Sequence, residues 1–433
     1  MMRGRRGATQ PLRIAMVAAC PFPSPRGSQV LVRELAEALA CRGHAVHLVT
    51  YPRGENLVPI RGIFLHRLRL PRCLGGSRGL GWRKVALDIC LGIGLFRVVR
   101  RHGIDVIHAH NYEAPLISYV VRWLTGVPVV YHSHNALSDE LEYYVRPGWR
   151  RAVARRVGRL LDRHVPRRAD FSIALTTELA VFLRRHGVAD TRLAVIPPGG
   201  VHAVASELPT GEADAFGDAF VVMYTGNLDP YQDLDVLCDA FAKVHRAGGN
   251  AILVLVTHEP GWRVRADDRL TALVDAGVAR VIVAPAFAVV RRLMTRADVL
   301  VCPRSSWSGF PIKLMNYLAA GRSIVVAEGS AKGIVDQQTG LVFRNRDADG
   351  LAQILTALRA DPALRERLGT NARAAASAVP GWERVAAQVE GIYARVCYRR
   401  EQPVSLVGRV RNARGLIAFS RDRISATSGK QTS

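Results

Sequence analysis

Three groups of residues in this chain have types and spacings that could do chemistry. HAH (His108, Ala109, His110) and HSH (His132, Ser133, His134) each close an apolar, β-branched run. A strand alternates its faces, so both histidines of a pair project to one side. Neighbouring parallel strands would then gather four imidazoles at one sheet edge. Such a cluster could ligate zinc, with Glu113 or Asp139 as a further ligand, or offer one imidazole to a substrate while the others pack. The nearby segments lack a metal-type spacing, which favours substrate contact and no metal. The second group is CPRSSWSGFPIKLMNYLAAG, Cys302 to Gly321. An apolar run ends at Cys302, a Ser-rich loop follows, and Gly309, Phe310 and Pro311 open a helix that Gly321 terminates. Backbone N–H groups around Gly309 to Ile312 would form a diphosphate cradle, with Arg304 and Lys313 adding positive charge. The third group is Gly27 and Ser28, in the turn between the first apolar run and a helix. Glycine there lets a phosphate approach the backbone. The turn is neither a GxGxxG nor a Walker A sequence, so dinucleotide and nucleotide-hydrolase readings lose support.

The elements that must position these groups form two series. Short apolar runs begin at Arg13, Ala45, Ile104, Val127, Phe171 and Leu193, and again at Ala219, Ala251, Arg280, Asp298, Ser323 and Leu341. Their near-continuous apolar character predicts parallel strands buried on both faces, with helix-period segments between them. The fold class expected is therefore α/β: two Rossmann-like domains facing across a cleft. The expected boundaries are a disordered basic N-terminus at 1–12, a first Rossmann-like domain at 13–199 and a linker at 200–217. A second Rossmann-like domain at 218–381, a closing helix at 382–398 that packs back on the first domain, and a basic disordered tail at 399–433 complete the chain. Ligands of open α/β sheets bind outside the strands' carboxyl ends, so the architecture predicts a site between the domains.

Composition narrows the partners. The chain has 433 residues, 49% of them hydrophobic, enough to bury two cores. Its formal net charge is +24, almost all of it arginine, because there are five lysines. Such an excess suggests a polyanionic partner: nucleic acid, an anionic membrane or a phosphorylated substrate. No helix-turn-helix, RNP-like strand or aromatic interleaving accompanies it, so nucleic acid is not expected. The seven cysteines are scattered without a CxxC pair, which fits a reducing cytoplasm. The longest apolar stretch, Val85 to Val99, is interrupted by Asp88 and is too short to span a bilayer. From Trp149 to Arg168 there are eight arginines and one acid on a helix-period background of Val153, Val157, Leu160 and Leu161. This segment either packs its apolar side in the first domain or lies on anionic lipid. Together with the basic cluster before Val85 and the basic tail, it favours a protein peripheral to the inner face of the cytoplasmic membrane.

The order of these motifs resembles that of the family-4 glycosyltransferases with the GT-B fold. The matching pieces are the early Pro/Gly loop, DVIHAH, GVPVVYHSHN, VIPPG, YTGNLDPYQDLDVL, GFPIKLMNYLAAG, TGLVF and the closing WERV helix. They run in the family's order from about Arg13 to Val396. The resemblance implies a nucleotide-sugar donor held by the second domain and transferred with retention to a lipid-linked or cell-envelope glycan acceptor on the first. It implies no metal and no cofactor beyond that substrate. It places His134 at the family's active-site histidine and Gly27, with Ser28, in the loop nearest the phosphates. His110, Glu113 and Asn135 become acceptor-side candidates, and Gly309, Phe310, Pro311 and Ile312 the donor cradle.

The chain departs from the family at four charged positions. The usual paired glutamates are Ser308 and Asn316 here, and the usual Arg and Lys that hold the diphosphate are Asn227 and Gln232. Either the diphosphate rests on Arg304, Lys313 and backbone N–H groups, with Ser308 and Asn316 contacting hydroxyls, or the chain is an inactive binding subunit. The replacements are all polar and can still hydrogen-bond, which favours the active reading.

Overall fold

The computed structural model describes residues 10–23, 27–52, 60–68, 82–145, 148–200, 216–259, 267–283 and 287–401. Most of the expected N-terminus, linker and basic tail lies outside the described residues.

Both expected sheets are present, and every described strand pair is parallel. The first contains β1 (Arg13–Ala18), β2 (Ala45–Thr50), β3 (Ile63–Arg67), β4 (Val106–His110), β5 (Val129–Ser133), β6 (Phe171–Ala174) and β7 (Leu193–Val195) in the order 3-2-1-4-5-6-7. The second contains β8 (Phe220–Thr225), β9 (Ala251–Thr257), β10 (Ala279–Val283), β11 (Val299–Cys302), β12 (Ser323–Ala327) and β13 (Leu341–Phe343) in the order 10-9-8-11-12-13. Central strands are sealed on both faces: Ile14, Ala15, Met16, Val17 and Ala18 are all buried, as helices on both sides of a parallel sheet require. Strand β3 departs from the sequence expectation. IFLHR is short, half-exposed and ends in His66 and Arg67, so its apolar pattern is that of an edge, not a core strand.

In each sheet the strand order reverses at the first strand, with β1 between β2 and β4 and β8 between β9 and β11. Crevices therefore open at the carboxyl ends of β1/β4 and of β8/β11. The two crevices face each other.

The last described helix, Trp382–Glu401, belongs physically to the first domain. Its Val385, Val389, Ile392, Tyr393 and Val396 share a core with Ile14, Val32, Leu35 and Leu39. Glu390 on this helix pairs with Arg42 at 2.5 Å. The chain re-enters beside Gly199, where a Cβ would lie 2.7 Å from the Trp382 ring, so this approach requires glycine.

Candidate active site

The two carboxyl edges enclose a cleft of about 2270 Å³. The floor on the N-terminal side is the histidine cluster. His108 and His110 on β4, and His132 at the end of β5, project to one face as the alternation predicts; His134 follows β5 directly. His110 Nδ1 lies 3.0 Å from His134 Nε2, and His108 Nε2 lies 3.1 Å from His132 Nδ1. The other nitrogen of His108 meets the Tyr393 hydroxyl at 2.5 Å. Burial pushes the His108 and His134 imidazoles down to about 3 and those of His110 and His132 well below their ordinary range. At neutral pH the four rings are thus uncharged. Only His134 lines the cleft.

Across the cleft, β11 ends at Cys302 and the loop runs to the helix Lys313–Ala320, which Gly321 closes in the left-handed conformation at φ 62°. Hydrogen bonds from Leu314 N to the Pro311 carbonyl and from Met315 N to the Ile312 carbonyl show the first turn winding from Pro311. The N–H groups before it have no helical partner and remain available to an anion. Gly309 sits at φ 79°, and a Cβ there would approach the His134 carbonyl to 3.0 Å. The two halves of the site touch at this point.

The polar replacements converge on one cation. Lys313 Nζ donates to Gln232 Oε1 at 2.9 Å and stands 3.9 Å above the Tyr224 ring. Gln232 donates in turn to Asn227 Oδ1 at 2.7 Å, and Asn227 donates to Asp229 (2.8 Å) and Tyr231 (2.9 Å). Burial lowers Lys313 to about 8, so its charge survives at neutral pH. Asn227 and Gln232 therefore aim Lys313 into the cleft. One helical turn beyond Lys313, the Asn316 Oδ1 atom is buried without a protein hydrogen-bond partner. Gln29 Oε1, opposite, is likewise unpartnered.

Two expectations need correction. Ser308 does not offer its hydroxyl to a ligand: it is 1% exposed and donates to Asp139 Oδ2 at 2.6 Å. His110 is completely buried behind His134, so it braces that ring and cannot touch an acceptor. Glu113 and Asp139 stand apart from the histidines as well, because Glu113 pairs with Lys84 at 2.7 Å and Asp139 is held by serines. Arg304 lines the cleft but is tied to its own loop, donating to the Ser308 carbonyl at 2.5 Å and to Ser306 Oγ at 3.2 Å. Gly27, Ser28, Glu113, His134, Asn135, Asn227, Gln232, Gly309, Phe310, Pro311, Ile312, Lys313 and Asn316 all line the cleft.

Two adjacent acidic residues of the N-terminal domain, Asp139 and Glu140, have roles that the sequence alone does not reveal. Asp139, by sequence a candidate metal ligand, instead accepts from the Ser306 and Ser308 hydroxyls of the opposite domain. Glu140 lines the cleft, and burial pushes its carboxyl up to about 7, with Arg304 opposing the rise and Glu113, Asp139 and Asp229 adding to it. The adjacent DE pair preceding an aromatic turn was the available signal.

The basic helix Trp149–His164 shows its apolar stripe outward. Its buried positions are Gly158 and Asp162. A Cβ on Gly158 would fall 2.7 Å from Ser138 Cα, and Asp162 accepts from Leu137 N (2.9 Å), Ser138 N (3.0 Å) and Tyr112 (2.6 Å). Trp149, Val153, Val157 and Leu160 are left exposed among arginines. The neighbouring helices Trp82–His102 and Glu113–Thr125 expose Val85, Ile89, Ile93, Val120, Trp123 and Leu124. No described helix is long and apolar enough to cross a membrane.

Residues 26–199 match the glycosyl transferase 4-like domain, and residues 219–361 match the glycosyl transferases group 1 domain. A D-inositol 3-phosphate glycosyltransferase from Thermomonospora curvata is 25% identical over 396 residues, covering 85% of this chain and 90% of that protein. A phosphatidyl-myo-inositol mannosyltransferase from Mycobacterium tuberculosis is 26% identical over 406 residues, covering 89% and 97%. Among solved structures, the sucrose-phosphate synthase of Thermosynechococcus elongatus superposes with a TM-score of 0.75 at 19% identity, covering 89% of this chain and 99% of that one.

Proposed function

The chain belongs to the family-4 glycosyltransferases of GT-B fold, and on that premise we propose that it moves a sugar from a nucleotide-sugar donor to a lipid-linked acceptor with an inositol-phosphate-type headgroup. The observation that carries this reading is the cradle: Lys313, aimed by Gln232 and Tyr224, stands beside the free N–H groups of the Pro311 turn and faces His134 across the cleft. As the bond from the anomeric carbon to the diphosphate breaks, charge grows on the leaving phosphate. A prepositioned cation and backbone dipoles are suited to take it. This arrangement supports transfer without a metal ion. The unpartnered Asn316 carbonyl suits a ribose hydroxyl, and the N-terminal wall, with Glu113 and Asn135, would receive the acceptor. Retention of anomeric configuration is proposed from family membership.

The acceptor class rests on the inositol-directed relatives and on the outward apolar stripe. An interfacial helix with aromatic and aliphatic residues between arginines fits the surface of an anionic bilayer. Val85, Leu116 and Val157 reach the cleft's own rim, so a headgroup could enter while its acyl chains remain in lipid. For this reason we propose that the protein is peripheral to a membrane, on the cytoplasmic face that its sequence leads one to expect. A thermal-shift screen with UDP-, GDP- and ADP-sugars tests the donor half: one nucleotide class should raise the melting midpoint. No shift with any of them would overturn the proposal.

A further inference from the structure

Away from the cleft, three histidines from three separate elements meet at the edge of the N-terminal sheet. His47 lies on β2, His66 on the edge strand β3, and His102 is the last residue of the helix Trp82–His102. Their ligating nitrogens all fall within 4.8 Å of one another. His47 Nδ1 and His66 Nε2 are 2.9 Å apart, and the His47 and His102 ring centroids are 4.5 Å apart. None of the three lines the cleft, and nothing in the transfer chemistry uses them.

We propose that His47, His66 and His102 form a binding site for one first-row transition-metal ion of the Zn²⁺, Ni²⁺ or Cu²⁺ type. Imidazole suits these ions, and three histidines with an open fourth position are a sufficient donor set. Zinc–nitrogen bonds of about 2.0–2.1 Å set ligand nitrogens roughly 3.4 Å apart in a tetrahedron. His66 and His102 are half-buried, so their rings can turn to close that gap, and solvent gives the ion a way in. Burial and the neighbouring rings, with Arg13 beside His47 and Arg101 beside His66, hold the imidazoles of those two residues below their ordinary range. The carboxyl end of a long helix, at His102, adds partial negative charge. Arg13 itself is drawn toward Asp105 at 3.6 Å. The other convergent trio, His108, His110 and His132, is a poorer site. It is sealed from solvent, and both nitrogens of His108 are already engaged by Tyr393 and His132. A metal at the outer trio would pin the edge strand to the sheet and to the helix end.

The test is calorimetric titration of the full chain, carrying no histidine tag and stripped with chelator, using Zn²⁺, Ni²⁺ and Cu²⁺ salts. One ion per chain should bind, and binding should raise the melting midpoint. His66→Gln and His102→Gln, both at half-exposed positions, should each weaken binding by roughly tenfold or more, while His245→Gln, on an exposed helix end, should leave it unchanged. His110→Gln separates the inner cluster and should also leave it unchanged. Circular dichroism of each variant establishes that it folds. Absence of binding, binding that survives His66→Gln and His102→Gln in folded protein, or binding lost in His110→Gln would each overturn the assignment.

Discussion

Asp139 of the N-terminal domain accepts a hydrogen bond from the Ser308 hydroxyl of the C-terminal domain at 2.6 Å, and the same carboxylate oxygen accepts from Ser306 Oγ at 2.7 Å. The bonds join the two domains and land on the loop that leads into the Gly309–Ile312 turn. Arg304 braces that loop from within the same domain. Hydrogen bonds to a charged group are worth about 1.5–3 kcal/mol each. Asp139→Ala should therefore shift the molecule toward an open arrangement of its domains. Small-angle scattering should show a larger radius of gyration for the variant at unchanged circular dichroism. An identical scattering profile would show that this contact does not hold the cleft closed.

Lys313 is the cation that Gln232 and Tyr224 direct into the cleft. Lys313→Ala should weaken nucleotide binding by about 1.5–3 kcal/mol, roughly tenfold to a hundredfold. Lys243→Ala removes a surface lysine paired with Asp349 and serves as the control. Calorimetry on both variants with the nucleotide diphosphate decides the matter, and equal affinities would remove Lys313 from the diphosphate site.

Glu140 predicts a pH effect of definite sign. Its folded carboxyl is raised to about 7 from 4.5, chiefly by burial. A carboxyl raised on folding favours the native state fully below pH 4.5, and that contribution is lost as pH climbs through about 7. Glu140→Gln removes the buried charge. It should therefore stabilise the protein at pH 8, by on the order of 1 kcal/mol after screening. The gain should be much smaller at pH 5, close to the unfolded value of 4.5. Melting curves at both values check this, and a variant less stable at pH 8 would contradict it.

The stripe of Trp149, Val153 and Leu160 predicts lipid binding that ordinary surface residues would not provide. Trp149→Ser, Val153→Glu and Leu160→Glu together should cut sedimentation with phosphatidylglycerol vesicles by roughly tenfold or more. All three positions are exposed in the free protein, so folding should be unaffected. Added salt should weaken the wild type's binding. Equal sedimentation of variant and wild type would mean that this face does not meet the bilayer.

What the sequence revealed follows from how local each signal is. Apart from β3, the strands of both sheets announce themselves as nearly continuous apolar runs, and the 309–321 turn and helix are written in consecutive residues. The His-X-His pairs also carry their shared face in their spacing. Other features depend on partners far along the chain. Tyr393 meets His108 only because the last helix returns to the first sheet, and Ser308 turns from a ligand candidate into an interdomain contact only when Asp139 arrives opposite it. The composition of the helix Trp149–His164 leaves two readings open, and only its docking through Gly158 and Asp162 shows that Trp149, Val153, Val157 and Leu160 stay exposed. Strand β3 is too short and too polar at its end to stand out from a loop.

The central claim is transfer of a sugar from a nucleotide to an inositol-phosphate-type lipid through the Lys313 cradle. It is tested most directly by single-turnover transfer from labelled UDP-, GDP- and ADP-sugars into phosphatidylinositol-containing membranes, comparing wild type with Lys313→Ala. A labelled lipid product from one donor class, formed at least about tenfold more slowly by the variant, is the result predicted. Absence of labelled lipid with every donor, or equal rates for the two proteins, would contradict it.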